Sequence, residues 1–146
     1  MTTIHASAVL VGPRAVLIRG PSGAGKSRLA LELIQAAEGG RLTFARLVAD
    51  DRVMLTGVNG RLLARPAAPL AGLIEVRGLG IRRLPYEPVA MVGLVVDLEA
   101  QDACRMAPEV ETAALAGVPV PRLAFPGGVL ALPVLLAVIG RSGVER

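Results

Sequence analysis

The sequence contains a single lysine and few aromatic residues. Lys26 is the only lysine among 16 basic residues, and the 15 arginines are spread from Arg14 to Arg146 without a run. Aromatic residues amount to 2% of the chain. Surfaces that bind nucleic acids usually combine clustered basic residues with aromatic side chains that stack on bases. The net charge of +4 therefore does not indicate a nucleic-acid partner.

Cysteine and long apolar runs are equally scarce. Cys104 is the one cysteine, which excludes an intramolecular disulfide and fits a reducing compartment. The apolar stretch at residues 6–12 is not preceded by a basic region, unlike a secretory signal peptide. The longest apolar run, residues 129–139, is too short to span a bilayer and contains Pro133. These absences predict a cytoplasmic protein with no membrane partner.

The residues that are present fit one compact domain. Hydrophobic residues make up 53% of the chain and charged residues 19%, a balance typical of globular rather than disordered proteins. A chain of 146 residues can bury one sizeable core but is short for two domains. No internal repeat is visible. We therefore expect a single domain over residues 1–146.

The first forty residues predict two strands and a helix. Short apolar runs at residues 7–11 and 15–19 flank a glycine-proline turn and predict the strands. A helix is predicted over residues 27–37, and a glycine pair ends it. Its buried stripe is predicted at positions i, i+3, i+4 and i+7, which are Ala30, Leu33, Ile34 and Ala37.

The remaining segments predict further strands and two more helices. Strands are predicted at residues 45–49 and 91–98, a hairpin at residues 52–64 with its turn at Asn59-Gly60, and an extended segment at residues 118–125. Helices are predicted at residues 108–116 and 129–139, and residues 73–81 have no clear assignment. This order of elements predicts an α/β domain with a mixed β-sheet flanked by helices.

The strongest local signal is a glycine-rich stretch between the second predicted strand and the first helix. It fits the phosphate-loop (P-loop) pattern G-x-x-x-x-G-K-[ST] at every fixed position. Glycines in this pattern let backbone amides converge on a phosphate at a helix N-terminus. The lysine reaches the outer phosphates of a nucleotide, and the serine hydroxyl can ligate Mg²⁺. The predicted nucleotide-binding residues are Gly20, Pro21, Ser22, Gly23, Ala24, Gly25, Lys26 and Ser27.

Two adjacent aspartates, Asp50 and Asp51, follow the strand predicted at residues 45–49. After a P-loop, an acidic residue at the end of a nearby strand often holds the magnesium shell or orients the attacking group. Successive side chains of an extended chain point to opposite faces, so we expect different roles for the two. A kinase also needs a carboxylate within reach of the accepting hydroxyl. Glu75 is a further candidate, either as a metal ligand or as an ion-pair partner of Arg77.

Three stretches, in their order along the chain, resemble the catalytic domain of bacterial HPr kinase/phosphorylase. They are the glycine-rich loop, LVADDRV at residues 47–53 and LIEVRGLGI at residues 73–81. The upstream IHAS also fits, because the family carries a histidine before the first strand of this domain. The resemblance extends over residues 5–137 and implies an HPr kinase/PEP carboxykinase-like fold. It also implies a homo-oligomer, a hexamer in the family, and a short member without the family's separate N-terminal domain.

The resemblance implies an enzyme that uses ATP and Mg²⁺ to phosphorylate a serine of HPr, a phosphocarrier protein of the phosphotransferase system. Asp51 matches the residue that accepts the serine proton. The predicted catalytic residues are Asp51, Lys26, His5 and Arg105, the last within a divergent segment. The predicted metal ligands are Ser27, Glu75 and Asp50.

Some positions depart from the family's pattern. Gly128 and Val129 stand where the family has the arginine and asparagine of a stretch tied to phosphorolysis. Loss of that arginine removes a contact that an incoming inorganic phosphate would need. We therefore expect kinase activity with weak or absent phosphorolysis. Arg28 stands where the family usually has an acidic residue.

Two other functions stay open on the sequence alone. A P-loop kinase for a small metabolite usually carries a mobile lid, and no clear lid segment is visible. An ATP-binding regulatory module with little turnover would need the loop but no base beside the γ-phosphate. The presence of both Asp51 and Glu75 favours a catalyst over such a module.

Overall fold

The computed structural model describes residues 1–103 and 111–145, and its centre is a mixed β-sheet with helices packed against it. The strands of this part are β1 (Thr2–His5), β2 (Ser7–Val11), β3 (Arg14–Arg19), β4 (Ala45–Ala49), β5 (Arg52–Val58), β6 (Arg61–Pro66), β7 (Leu73–Val76), β8 (Gly80–Arg83), β9 (Ala90–Asp97), β10 (Glu111–Leu115) and β11 (Val118–Ala124). Its helices are α1 (Lys26–Glu38), α2 (Ala131–Ile139) and a single 3-10 turn at Ala68–Leu70. The predicted fold class is confirmed.

The sheet is organised around two parallel strands, β3 and β9. Its strand order is β1-β5-β6-β9-β3-β2-β4, and β11 joins the second half of β9 in parallel, with β10 outside it. The first half of the same β9 edge pairs with β6. In this register Arg19 and Asp97, the last residues of β3 and β9, lie side by side. The glycine-rich loop after β3 therefore starts beside the C-terminal end of β9.

Apolar side chains alternate along β3 and fill both faces of the sheet. Val16 and Ile18 belong to the core cluster that contains the buried side of α1, whereas Ala15 and Leu17 belong to the cluster on the other face. The buried residues of α1 are Leu29, Ala30, Leu33 and Ala36. This packing holds α1 against the sheet that contains β3, so the glycine-rich loop between them is held at both ends.

The predicted stripe of α1 is confirmed at Ala30 and Leu33 but wrong at Ile34 and Ala37, which are only partly buried. Leu29 and Ala36 occupy the fully buried positions instead. The helix carries apolar residues on two overlapping stripes, so spacing alone does not decide which stripe faces the sheet. The observed choice follows from packing against β2, β3 and β4.

The predicted hairpin at residues 52–64 is confirmed as β5 and β6. Asn59 and Gly60 both have positive φ, 51° and 75°, as a two-residue type I′ turn requires. The unassigned residues 73–81 form most of a second hairpin, β7 and β8, which is a separate two-stranded sheet.

The predicted helix at residues 108–116 is wrong where the structure describes it. Residues 111–115 form β10, which pairs with β11 through a turn at Ala116 and Gly117. Alanine, leucine and glutamate favour a helix locally, but pairing with a neighbouring strand overrides a weak local preference. The extended segment at residues 118–125 and the helix at residues 129–139 are confirmed as β11 and α2.

Within the described residues, we find no helix with the length and apolarity needed to cross a membrane.

Candidate active site

The glycine-rich loop joins β3 to α1 in the conformation that its glycines allow. Gly23 and Gly25 have φ values of 83° and 97°, in the left-handed region that other residues rarely adopt. No heavy atom lies within 4 Å of a Cβ built on either glycine, so backbone conformation rather than space demands glycine here. No described side chain caps α1, and its first turn contains no acidic residue. The amides at this helix end are therefore free to bind an anion.

The Lys26 side chain lies back across the loop. Its Nζ donates hydrogen bonds to the carbonyl oxygens of Gly20, at 2.8 Å, and Pro21, at 3.2 Å. The loop is also tied to β9, because the Leu98 amide donates to the Arg19 carbonyl oxygen at 2.9 Å. The single lysine of the chain thus lies where its ammonium can exchange neutral carbonyl acceptors for phosphate oxygens.

Asp50 lies beneath the start of α1, where its carboxylate accepts four hydrogen-bond contacts. Ser7 Oγ donates to Oδ1 at 2.6 Å, and Ser27 Oγ lies 2.8 Å from Oδ1 and 2.9 Å from Oδ2. The Glu75 amide donates to Oδ2 at 3.3 Å. The residue is 4% exposed. One carboxylate therefore joins the ends of β2 and β4, the first turn of α1 and the β7 strand.

The charge of Asp50 is not balanced by a neighbouring side chain. Among residues 1–103 and 111–145, no arginine or lysine lies within ion-pairing distance of it. A buried carboxylate surrounded by neutral donors favours a cation nearby. The same residues contain no group of three or more acidic, histidine or cysteine side chains suited to a metal. The donors fit Mg²⁺, which binds through one or two protein oxygens together with phosphate oxygens and water.

Asp51 is held in a tight turn between β4 and β5. The Arg52 amide donates to the Asp50 carbonyl oxygen at 2.8 Å, which closes a three-residue turn centred on Asp51. Asp51 has a φ of 69°, and aspartate is one of the few residues that tolerate this region. Its side chain is exposed and lines the cleft above the loop. Asp50 and Asp51 thus point into different surroundings, but the cause is the turn at Asp51 and not the alternation of an extended chain that the sequence analysis assumed. Their different roles stay a prediction.

The cleft has a volume of about 770 Å³ and is formed by four segments. Its lining comprises residues 22–29 of the loop and α1, Asp51, residues 75–77 of β7 and residues 129–133 at the start of α2, with smaller contributions from Ser7, Leu31, Glu32 and Leu98. Glu75 and Arg77 both face it, and no ion pair joins them. Arg28 lies on the same wall and forms an ion pair, at 3.7 Å, with Glu32, which also lines the cleft.

Of the other two predicted catalytic residues, the structure describes only His5. His5 ends β1 opposite Arg52, one residue from Asp51, but its exposed side chain is not among those that line the cleft. Arg105 lies outside the described residues. The roles of both remain predictions.

A charged cluster that the sequence analysis missed lies at the base of the loop. Arg19 binds Asp97 through Nε, at 2.7 Å, and Nη2, at 2.8 Å, and Arg122 Nε binds the same carboxylate. Arg122 also contacts the carboxylates of Asp102 and Glu111. Burial raises the pKa of Asp97, but the hydrogen bonds and charges of the two arginines outweigh it and hold the pKa below its ordinary value. A signal was available for two of its members, because Arg19 and Asp97 are charged residues at the ends of apolar strands.

Comparison with known proteins identifies the family. A family described as the HPr Serine kinase C-terminal domain matches residues 1–126. The chain belongs to this family. A relative named HPr kinase/phosphorylase, from Clostridium tetani, is 33% identical over 136 residues, which cover 86% of this chain and 42% of the relative. A protein of the same name from Clostridium beijerinckii is 42% identical over 80 residues. The chain thus spans less than half the length of these relatives.

The fold is also similar to a solved structure. The structure of the Hpr(Ser) kinase/phosphatase from Coxiella burnetii superposes with a TM-score of 0.77 at 27% sequence identity. The match covers 94% of this chain and 93% of that chain. The resemblance that the motifs indicated therefore extends to the arrangement of almost all secondary structure.

The Asp97 cluster predicts a specific acid sensitivity. Since the pKa of Asp97 is lowered by folding, its contribution to stability is complete above about pH 5 and is lost as the pH falls through the folded-state pKa. We expect Asp97→Asn to reduce the free energy of unfolding by about 3 kcal/mol at pH 7, because two arginines lose their shared partner.

Urea unfolding at pH 7 and pH 3 measures this effect. The difference between Asp97→Asn and the unaltered protein should shrink at pH 3, and Asp102→Asn, at an exposed carboxylate of the same cluster, should have a much smaller effect at pH 7. A difference for Asp97→Asn that is equal at both pH values would contradict the assignment.

Proposed function

We propose that this chain is the catalytic domain of a protein-serine kinase that uses ATP and Mg²⁺ and acts on an HPr-type phosphocarrier protein. The proposal is supported by membership of the family and by the cleft, which brings the glycine-rich loop, the buried Asp50 and the exposed Asp51 together. The observation that carries it is Asp51 itself.

Asp51 supports a catalytic rather than a purely nucleotide-binding role. Its exposed side chain lines the cleft above the loop, at the turn between β4 and β5. A module that only binds ATP has no need of a free carboxylate held in this way above the loop. This favours the kinase over the regulatory alternative.

The proposed transfer uses Asp51 as a general base. As the seryl oxygen attacks the γ-phosphorus, its proton passes to the Asp51 carboxylate and the new O–P bond forms. The bond from phosphorus to the bridging oxygen breaks, and its electron pair stays on ADP. Lys26 and the free amides at the start of α1 stabilise the charge of the phosphates. No covalent enzyme intermediate is required.

Ser27 and Asp50, with Glu75 at the cleft wall, are the residues that would hold Mg²⁺. When bound, the ion would neutralise charge on the phosphates. The residues of this chain would orient the Ser27 oxygen toward the nucleotide. Asp50 does so by accepting the hydrogen bond that the Ser27 hydroxyl donates, which leaves the lone pairs of Ser27 available.

The β7–β8 hairpin favours a protein as the acceptor over a small metabolite. It borders the cleft through Glu75 and Arg77, and all four residues of β8 are exposed. Leu79 and Ile81 are 63% and 65% exposed, and Arg82 adjoins them. Exposed apolar side chains beside positive charges are typical of surfaces that bind a partner. We propose that this surface contacts an acceptor protein that presents an apolar patch bordered by carboxylates.

The removal of the base provides the first test. Asp51→Asn keeps the shape of the side chain and tolerates positive φ, so the fold and ATP affinity should be unchanged. We expect transfer of labelled γ-phosphate to purified HPr as acid-stable phosphoserine, and a loss of at least about 100-fold in Asp51→Asn. ATP binding without transfer by the unaltered chain would contradict the kinase proposal and support a regulatory module.

The hairpin surface is tested by replacing its apolar residues. The double variant Leu79→Ser, Ile81→Ser should raise the KM for the protein acceptor by about tenfold, because apolar contact area is lost. The affinity for ATP should not change. Val58→Ser removes a partly exposed apolar residue from the unrelated β5–β6 hairpin and serves as the matched control. An unchanged KM in the double variant would exclude this surface from acceptor binding.

The reverse reaction is expected to be weak. Gly128 has a φ of 80°, and it replaces the arginine that would contact inorganic phosphate. Phosphorylated acceptor incubated with millimolar inorganic phosphate should lose its label far more slowly than the forward reaction adds it. Label release at a rate similar to the forward rate would mean that another cation fulfils this role.

A further inference from the structure

Ser7 is a buried hydroxyl that no motif explains. It begins β2 within an otherwise apolar run and is 1% exposed. Buried serines usually bond to nearby backbone. Ser7 Oγ instead donates to Asp50 Oδ1, 43 residues away, at 2.6 Å. The acceptor is the same carboxylate oxygen that receives the hydroxyl of Ser27.

Strand pairing brings the two residues together. β2 lies between β3 and β4, and Ala8 pairs with Ala49, so Ser7 and Asp50 extend the same pair of strands at the end nearest the loop. A register shift between Ala8 and Val9 interrupts the pairing at this point. Ser7 also contributes to the lining of the cleft. The hydroxyl is therefore at the floor of the candidate active site rather than deep in the core.

We propose that Ser7 is a positioning residue for metal binding. By donating to Oδ1, Ser7 fixes the rotation of the Asp50 carboxylate. The carboxylate in turn accepts the hydrogen bond of the Ser27 hydroxyl. A hydroxyl has one proton and two lone pairs. When the Ser27 proton is hydrogen-bonded to Asp50, both lone pairs of the Ser27 oxygen point away from Asp50. The oxygen of Ser27 is thereby oriented to ligate the Mg²⁺ of a bound nucleotide. This inference rests on the proposed function.

The hydrogen-bond pattern explains why Ser7 matters even though it touches neither ligand. Asp50 has no cationic neighbour among the described residues, so hydroxyl and amide donors alone determine its orientation. The other donor besides Ser27 is the Glu75 amide, whose distance of 3.3 Å makes it the weakest of the set. Without Ser7, the carboxylate would lose its shortest hydrogen bond and could turn away from Ser27. Groups that orient metal ligands typically change metal affinity by 10- to 100-fold when removed.

Binding of Mn²⁺ in the presence of a non-hydrolysable ATP analogue tests the role without catalysis. The spin-resonance signal of the free ion reports the dissociation constant. We expect Ser7→Ala to raise this constant by roughly 10- to 100-fold. Ser7→Thr, which restores a hydroxyl, should return it toward the original value. Binding of the analogue in EDTA should be equal in the unaltered chain and both Ser7 variants, because no metal is then bound.

The chain offers two reference variants. Thr56 also has a buried hydroxyl, but its Oγ1 has no partner in the described structure. Thr56→Val should therefore leave the Mn²⁺ dissociation constant within about twofold of the original. Asp50→Asn removes the carboxylate itself and should weaken Mn²⁺ binding at least as much as Ser7→Ala. If Ser7→Ala does not fold, Ser7→Cys keeps a side chain of similar size with a weak donor and should show an intermediate loss.

The outcomes separate this inference from the proposed function. An unchanged Mn²⁺ constant in Ser7→Ala or Ser7→Cys, with weak binding in Asp50→Asn, would overturn the role of Ser7 alone. A lowered melting temperature with unchanged Mn²⁺ affinity would likewise reduce Ser7 to a structural residue. Failure of the unaltered chain to bind Mn²⁺ with the analogue would overturn the metal site of the proposed function, and the role of Ser7 with it.

Discussion

The buried carboxylate of Asp50 is the interaction on which the arrangement of the cleft depends. It receives hydroxyl groups from β2 and α1 and an amide from β7, elements that are far apart in the sequence. A carboxylate removed from water needs donors on most of its lone pairs. Meeting that requirement draws the strand ends, the helix start and the hairpin to a common point. The glycine-rich loop is therefore positioned by what lies beneath it as well as by its own glycines.

The contrast with Asp97 shows how one residue type serves two purposes. Asp97 is also buried at a strand end, but it is bonded to two arginines that compensate its charge. Such an arrangement fixes β3, β9 and β11 relative to one another and has no electrostatic need of a further ligand. Asp50 is hydrogen-bonded to neutral donors, and no cationic side chain among the described residues compensates its charge. Of the two, only Asp50 is suited to receive a cation during function.

The sequence predicted most of the fold because its local signals agree with the packing. The glycine-rich loop, the Asn59-Gly60 hairpin and the apolar strands each contain the residues that their backbone conformation requires. Prediction failed at β10, where helix-forming residues are held in a strand by pairing with β11. It missed β1, a short and mostly polar edge strand whose pairing with β5 leaves no periodic pattern.

The site was predictable to the extent that its residues occur in motifs. Lys26, Ser27, Asp50, Asp51 and Glu75 were all proposed, and they lie around one cleft or on its floor. The contacts of Ser7 and of Asp97 were not proposed, because they join residues 25 to 78 positions apart and depend on strand register. A serine within an apolar run was the only local sign of the first contact. Contacts of this kind become visible only when the order of strands is known.

The bond from the Glu75 amide to Asp50 has a thermodynamic consequence for the two sides of the cleft. Ser27, at the start of α1, and the Glu75 amide of the β7–β8 hairpin donate to one carboxylate, so a displacement of either donor changes the position of the acceptor for the other. Coupling between two binding sites is reciprocal. If an acceptor shifts the hairpin and alters nucleotide affinity by some factor, the nucleotide alters acceptor affinity by the same factor. A single shared hydrogen-bond acceptor would then be the contact through which the two sides of the cleft are coupled.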